Sequence, residues 1–429
     1  MDYDLAVIGA GWAGFNAART GQKLGLKTVL IENQQIGGTC LNSGCIPTKT
    51  LIQSAKIFNL AKKSGNFGVD ILEPKINFSA IQSRKEKIIQ QLRQGMEFLI
   101  KGVEIKKSTA KILAADLIQA GAEKIKAKSI IIATGSRPLE LPVLKFDGKK
   151  IISSDDILQL KELPKSLLIV GGGVIGCEFA GLFSSFGVKV AMAEKMPQLL
   201  PGLDLEAAKK IEQVFKKRGI KVNTGIDAGS LDLSEFDLVL VCVGRSANVL
   251  GLGLEEAGVI LENKKIKVDE YLRTSLPNIF AAGDCASPVM LAHYAAYQGE
   301  VAAGNAAHPQ NPQKCDNLAV PSCIFTDPEI SSVGLTEAAA GEKGFMPIAA
   351  KFDFLGSGMA RIMDSTDGFI KIIFDKNTDI VLGATIVGPL ATELIAILTL
   401  AVTNKLKVSQ IRRTIFSHPS LSESIHEAI

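Results

Sequence analysis

Cys40 and Cys45 stand five residues apart in Gly37-Gly38-Thr39-Cys40-Leu41-Asn42-Ser43-Gly44-Cys45-Ile46-Pro47-Thr48-Lys49, a spacing that suits a disulfide built to open and close. On a regular helix, Cα atoms five apart are roughly 8–9 Å from one another, whereas a disulfide needs about 4.4–6.8 Å. The pair can bond only across a distorted turn, which Gly44 permits and Pro47 tolerates near a helix start. A strained disulfide is the more easily reduced. Two other uses stay open at this point. Zinc sites space their cysteines more tightly and need further ligands nearby, and two thiols can simply be buried side chains.

Disulfide chemistry also needs a proton acceptor. The chain has four histidines, His293, His308, His418 and His426. Only His418, in His418-Pro419-Ser420-Leu421-Ser422-Glu423, has a carboxylate at short, fixed spacing. Glu423 can hold the imidazole in one tautomer and raise its basicity. A surface histidine near a terminal helix is the plainer alternative.

The elements that would position these groups come as one device used twice. Leu5-Ala6-Val7-Ile8 is a continuous apolar run, as in a fully buried parallel strand. It feeds Gly9-Ala10-Gly11-Trp12-Ala13-Gly14, a helical stretch through Leu24, and a strand Thr28–Ile31 ending at Glu32. Gly9, Gly11 and Gly14 allow a tight turn and close approach of a pyrophosphate to a helix N-terminus, and Glu32 can accept from ribose hydroxyls. Leu167–Val170 then leads into Gly171-Gly172-Gly173-Val174-Ile175-Gly176, a helix through Phe186, and a strand Lys189–Ala193 ending at Glu194. First glycine and acid are 23 positions apart in both copies. Internal repetition carries more information than either motif alone; two dinucleotides in one chain imply electron transfer between them.

The cysteines follow the first unit directly, so its ligand must exchange electrons with sulfur. A nicotinamide passes hydride; a flavin can also take electrons from a thiolate. FAD is therefore expected in the first unit and NAD in the second, Glu194 disfavouring a 2′-phosphate. Between the repeats, Ser79–Gly102 reads as an amphipathic helix with an apolar stripe of Ile81, Ile88, Leu92, Met96 and Leu99, and with the Arg84–Lys87 charges on a solvated face. Ser129–Ala133 is a strand turning at Thr134-Gly135-Ser136-Arg137-Pro138, matched in the second unit by Asp237–Val243 turning at Gly244-Arg245. Asn278–Asp284 is a strand whose exit carboxylate, Asp284, suits a polyol or else merely a turn.

The expected fold class is α/β: two Rossmann-like dinucleotide-binding domains plus a C-terminal α+β dimerisation domain. The boundaries expected are 1–147 for the FAD domain, 148–268 for the NAD domain, 269–317 for a return to the first, and 318–429 for the last. Forty-eight Lys and Arg against 44 Asp and Glu give a net charge of +4, too little over this length to imply nucleic acid. Seven scattered cysteines fit a reducing compartment. No charged leader with an apolar run precedes the first strand, and the longest apolar tract, around Leu382–Val402, contains Pro389 and Glu393. It reads as a buried helix at an interface, giving a cytoplasmic protein with no membrane and no resident metal.

Taken together these residues resemble the flavoprotein disulfide reductases, the class I pyridine nucleotide–disulfide oxidoreductases. The likeness runs almost the full length. It rests on Gly37–Lys49, Ala133–Ser136, Gly171–Glu178, Gly283-Asp284, Met290-Leu291-Ala292-His293, Thr326-Asp327-Pro328-Glu329 and His418–Glu423. The Met290–His293 segment and Glu194 lean toward the branch that oxidises dihydrolipoamide. The resemblance implies that Cys40 is the thiol forming a mixed disulfide with substrate and Cys45 the thiolate facing the flavin. It implies that Lys49 and Glu178 are an ion pair beside the ring, with Gly38, Thr39, Asp284, Met290, Leu291, Ala292 and His293 as further flavin contacts. It also implies a homodimer in which His418 and Glu423 serve the partner's cysteines, and docking to lipoyl domains of a 2-oxoacid dehydrogenase or glycine cleavage complex. The same fold reducing another disulfide or Hg(II), or a flavin-binding sensor without turnover, are the rival expectations. Tyr294-Ala295-Ala296-Tyr297, Ala247 and the six residues after Glu423 depart from the family pattern.

Overall fold

A computed structural model describes residues 1–316 and 319–429; the boundary expected at 317/318 lies outside the described residues. The chain opens with β1 (Tyr3–Ile8), α1 (Trp12–Lys23) and β2 (Thr28–Glu32), then a one-turn α2 (Gly38–Asn42), α3 (Cys45–Lys62) and a long α4 (Phe78–Leu99). Next come β3 (Glu104–Lys107), β4 (Ala110–Ala114), β5 (Leu117–Ala120), β6 (Glu123–Ile132) and β7 (Ser136–Pro138). The second repeat holds β8 (Ile151–Ile152), β9 (Ser166–Val170), α5 (Val174–Ser185), β10 (Lys189–Glu194), α6 (Leu205–Lys217), β11 (Lys221–Thr224) and β12 (Leu238–Val241). After it lie β13 (Arg245–Ala247), a hairpin of β14 (Leu261–Glu262) and β15 (Lys265–Ile266), β16 (Ile279–Ala281) and α7 (Ala292–Ala307). The chain ends with β17 (Ser322–Ile324), β18 (Glu329–Gly334), α8 (Glu337–Glu342), β19 (Pro347–Asp353), α9 (Gly358–Ile362), β20 (Phe369–Asp375), β21 (Val381–Gly388), α10 (Ala391–Thr403), α11 (Val408–Arg412) and α12 (Glu423–Glu427).

Two compact units emerge. The first gathers residues 1–50, 79–139 and 244–316. Its sheet runs β3-β2-β1-β6-β5-β4, with β16 alongside β6. β3, β2, β1, β6 and β16 are mutually parallel along their shared edges. Leu5, Ala6 and Val7 of β1 are fully buried, which is why this strand is apolar without alternation: helices cover both faces of a parallel sheet. Each such Leu or Val contributes about 1.5–3 kcal/mol by leaving water. α7 lies tight on α1, where a Cβ on Gly299 would come within 2.1 Å of the Ala13 carbonyl oxygen.

The second unit contains residues 51–78, 140–243 and the described chain beyond 318. It holds a parallel sheet, β11-β10-β9-β12-β8, and an antiparallel one, β17-β18-β21-β20-β19. Ile370, Ile372, Ile386, Leu398 and Ile425 share the core under the antiparallel sheet. The expected fold class, two Rossmann-like units and a C-terminal α+β domain, is the fold found.

Two local expectations need correction. The buried side of α4 is Lys85, Ile89 and Met96, continued by Ile100, while Leu92 and Leu99 are exposed and Ile81 and Ile88 only half-buried. The helix is turned by roughly one residue from the stripe expected, because Ile89, Met96 and Ile100 join the core under β1 and β2. Lys85 is accordingly not solvated: it is 1% exposed, with its ammonium 2.9 Å from Glu86. The tract around Leu382–Val402 is not one helix either. Gly388, at φ +152°, and Pro389 break it into β21 and α10, since proline cannot continue either element.

Candidate active site

Cys40 lies on α2 and Cys45 opens α3, so the turn between them is a break between two helices. Gly37 and Gly38 start this segment with φ of +98° and +55°, conformations that cost a side chain dearly. Gly44 acts through space: a Cβ there would meet the Thr39 carbonyl oxygen at 2.9 Å and Cys40 Cα at 3.3 Å. Asn42 fastens the turn, donating to the carbonyls of Ile36 at 3.1 Å and Gly38 at 2.9 Å, and Arg93 donates to Asn42 at 2.6 Å. Both cysteines are thiols here, Cys40 half-buried and Cys45 exposed. They touch. The hydrogen bond with Cys45 is the main reason the Cys40 thiol is pushed far above its ordinary range; burial and the Cys45 sulfur's charge add to it, while Trp12 and Lys49 pull the other way. Two sulfurs in direct contact are placed for exchange between dithiol and disulfide. Cys177 and Cys242 differ in being buried with no thiol partner of this kind among the described residues: burial raises Cys177 well above normal and Cys242 to about 12.

The two glycine-rich turns match residue for residue. Gly9 and Gly171, at φ +98° and +112°, make the tight turn. Gly14 and Gly176 pack helix on turn: a Cβ would lie 1.8 Å from the Gly9 oxygen and 2.0 Å from the Gly171 oxygen. Gly11 and Gly173 are spared for another reason. A Cβ on Gly173 meets nothing within 4 Å, and one on Gly11 meets only Gly38 Cα, at 3.9 Å. Their open side faces the start of α1 and α5, helices with no side-chain N-cap and no acid in the first turn. Such a terminus favours an anion. Glu32 accepts from Ala10 N at 2.6 Å and Gln34 N at 2.7 Å; Glu194 does the same with Gly172 N at 2.5 Å and Met196 N at 2.6 Å. Each carboxylate oxygen keeps a further lone pair for a ribose hydroxyl. A dinucleotide pyrophosphate and ribose fit both turns.

In the first unit, Thr134, Gly135 and Ser136 form a second rim. Ser136 donates to Asp284 at 2.5 Å, and Thr134 Oγ1 donates to the Asn248 carbonyl at 2.7 Å. β7 pairs with β13, and Leu139 N donates to Gly244 O at 3.0 Å. Arg245 donates to Ser136 Oγ and to its carbonyl, both at 2.8 Å. Met290, Leu291 and Ala292 are half-buried at the start of α7, and His293 is exposed. Lys49 is half-buried on the second turn of α3. In the second unit, Glu178 is 4% exposed on α5 and accepts from Phe325 N at 3.0 Å.

His418 Nδ1 lies 2.9 Å from Glu423 Oε2, and the imidazole is 81% exposed. Ser420 N donates to the other carboxylate oxygen at 3.1 Å. The His418 hydrogen bond chiefly, and that N–H next, hold the Glu423 carboxyl below the usual range. With Nδ1 committed, Nε2 is the nitrogen available to take a proton.

Sequence reasoning missed three contributors. Gln298, buried on α7, accepts from Gly283 N at 2.9 Å, and Asn248 donates to the Thr134 carbonyl at 3.1 Å. Trp12, the only tryptophan in the chain, acts on Cys40 from inside the first glycine motif. Its place between motif glycines was the one available signal.

Comparison with known proteins agrees with this geometry. Residues 3–299 match the pyridine nucleotide-disulphide oxidoreductase family and residues 320–429 that family's dimerisation domain, which supports a homodimer. The chain is 38% identical over its full length, and 97% of theirs, to a dihydrolipoyl dehydrogenase of Bacillus subtilis (strain 168). It is 39% identical to another from Chlamydia pneumoniae, over 99% of this chain and 95% of that one. Among solved structures it is similar to LpdA from Mycobacterium tuberculosis, with TM-score 0.92, 28% identity and coverage of 99% and 98% of the two chains. The HOCl-induced flavoprotein disulfide reductase RclA of Escherichia coli gives TM-score 0.88 at 28% identity, with 99% of each chain covered. The chain belongs to the pyridine nucleotide-disulphide oxidoreductases, whose cofactors are FAD and NAD.

Proposed function

We propose that this chain oxidises dihydrolipoamide to lipoamide and passes the electron pair through Cys40 and Cys45 and FAD to NAD. The observation that carries the reading is the side-chain contact between Cys40 and Cys45 at the joint of α2 and α3, next to a turn shaped for a dinucleotide.

In the disulfide form, His418 of the second copy takes a proton at Nε2 from one substrate thiol. The resulting thiolate attacks Cys40 Sγ, the Cys40–Cys45 bond breaks, and Cys45 leaves as thiolate. The second substrate thiol attacks the substrate sulfur of the mixed disulfide and expels Cys40 as a thiolate, which takes up the proton that this thiol gives away. Lipoamide departs and the protein holds a dithiol, two electrons richer. Gly9, Gly11, Gly14 and Glu32 of the first repeat would hold FAD, which would supply an acceptor for that electron pair and a hydride donor to NAD. Glu423 keeps the imidazole in the tautomer that accepts at Nε2, and Glu194 favours NAD by placing a carboxylate where NADP carries phosphate. The lipoyl domains of a 2-oxoacid dehydrogenase or glycine cleavage complex are the proposed carriers of the substrate, and the cytoplasm its compartment.

Steady-state oxidation of free dihydrolipoamide, with NAD and NADP compared, tests this. Cys45→Ser should abolish turnover and leave flavin bound; retained NAD-linked lipoamide chemistry in that variant would overturn the mechanism. A second reading, reduction of another disulfide or a metal ion, draws on the likeness to RclA, which has also been solved as a Cu(II) complex. Parallel assays with glutathione disulfide, Hg(II) and Cu(II) separate the two. A sensor without turnover would show no bleaching of the flavin by NADH.

A further inference from the structure

Trp12 is the first residue of α1, directly after the N-cap Gly11. Its surroundings are set by a backbone contact. Gly37 N donates to the Ala10 carbonyl at 2.8 Å, and a Cβ on Gly38 would meet Gly11 Cα at 2.6 Å. The glycine turn and the start of α2 are thus pressed together, and the residues that follow each glycine, Trp12 on one side and Thr39-Cys40 on the other, face one another. Asn16, one turn on, donates to the Trp12 carbonyl at 2.8 Å.

The indole nitrogen of Trp12 is buried and makes no hydrogen bond of ordinary length and angle. A buried donor left in this state is costly, and such a group in a folded protein calls for an explanation. The side chain nevertheless reaches Cys40 closely enough to oppose the forces that keep its sulfur protonated. The thiol is a weak acceptor and a thiolate a strong one. The donor is poorly satisfied while Cys40 is neutral and well satisfied once Cys40 carries charge.

We propose that the Trp12 indole N–H is the hydrogen-bond donor that stabilises Cys40 as a thiolate, so that Trp12 sets how readily the mixed disulfide is released. The inference rests on the reading of Cys40 as the sulfur that exchanges with substrate. When the second substrate thiol attacks, the bond from substrate sulfur to Cys40 Sγ breaks and its electron pair stays on Cys40. A lower leaving-thiol pKa speeds that departure. Lys49 contributes charge at the same sulfur, whereas the indole is an uncharged donor that has no hydrogen-bond partner among the described residues.

The test uses the FAD-loaded dimer reduced with dithiothreitol. The rate of alkylation of Cys40 by iodoacetamide is followed against pH and the site confirmed by peptide mass. Trp12→Phe keeps an aromatic ring and removes the donor. Its profile should move up by about one pH unit, with alkylation at neutral pH about tenfold slower, the scale of one hydrogen bond to a charged group. Trp12→His restores an N–H and should recover part of the shift. Because the chain has a single tryptophan, emission of the unaltered reduced protein should titrate with the same midpoint as alkylation, a readout that needs no variant. A Trp12→Phe profile superimposable on the parent, or emission that does not follow Cys40, overturns the proposal. These readouts are independent of substrate identity: failure with dihydrolipoamide while the profile still shifts would count against the proposed function alone.

Discussion

His418 and Glu423 are held 2.9 Å apart on a segment that presents the imidazole outward, and the carboxylate is fixed from its other oxygen by Ser420 N–H. Removing the base and removing its holder should therefore differ. His418→Gln is expected to lower kcat by roughly 10²–10⁴, the usual contribution of a general base. Glu423→Gln should cost less, since the imidazole remains and only its orientation and basicity suffer. The pH dependence follows from the depressed Glu423 carboxyl. A carboxyl whose folded pKa is lowered stabilises the fold above its unfolded value, about 4.3, and that contribution is lost as pH falls through the lower folded value. Between pH 5 and 9 the Glu423 carboxyl stays ionised, so a kcat/KM profile should show no limb from Glu423 in that window.

Asp204 does two jobs within the second unit. Its Oδ1 accepts from Glu206 N at 2.9 Å and Ala207 N at 3.3 Å, capping α6, and its carboxylate is 2.9 Å from the ammonium of Lys371 on β20. Lys371 is 7% exposed. Burial alone would lower its pKa, but the hydrogen bond and charge of Asp204, then Glu206, raise it on balance. Asp204→Ala should destabilise by about 2–4 kcal/mol, because α6 loses its cap and the buried ammonium keeps only the exposed Glu206, 3.2 Å away. Asp204→Asn keeps a good cap and should lose less. A raised lysine stabilises below its unfolded pKa, about 10.4, and that contribution fades as pH climbs through the folded value. Thermal melts of the parent should fall off above about pH 10, and those of Lys371→Met should lack that component.

How much of this was legible in the chain depended on whether a residue's role is local. Gly9 and Gly171, Glu32 and Glu194, and the paired cysteines act on neighbours a few positions away or in a repeat, so type and spacing expose them. At Gly44, which the sequence marks as permitting the distorted turn, the physical reason is close approach: a Cβ would meet the Thr39 carbonyl oxygen and Cys40 Cα. Long-range partners left no such trace. Gln298 serves Gly283, Asn248 serves Thr134, and Trp12 serves Cys40; nothing in the intervening sequence says which will meet. Lys85 was misread because a charge on a helix is ordinarily solvated, and only the tertiary core shows it buried.

Glu194 makes a nucleotide prediction. Its two oxygens accept from Gly172 N and Met196 N, which fixes a negative group at the end of β10. Glu194→Ala should raise KM for NAD about tenfold, the scale of losing a charged hydrogen bond to ribose, with kcat little changed. NADP should gain relative to NAD, because a repelling carboxylate has gone. Initial rates with both nucleotides decide it, and an unchanged NAD-to-NADP ratio would show that specificity lies elsewhere.

Two glycines in the same turn should respond in opposite ways to the same methyl group. At Gly176 a Cβ would stand 2.0 Å from the Gly171 oxygen and 3.2 Å from Cys242 Sγ. The first neighbour is backbone and cannot swing aside, so Gly176→Ala should lower stability by several kcal/mol, as overpacked cores do, and yield little folded protein. At Gly173, with φ of −75°, nothing lies within 4 Å of the added carbon. Gly173→Ala should melt within a few degrees of the parent, and by replacing glycine with alanine at an accessible backbone angle it can even gain slightly. Its methyl would nevertheless occupy the side from which a pyrophosphate reaches the start of α5, and KM for NAD should rise by at least tenfold. Melting curves and NAD titrations on the two variants separate a glycine kept for packing from one kept for a ligand.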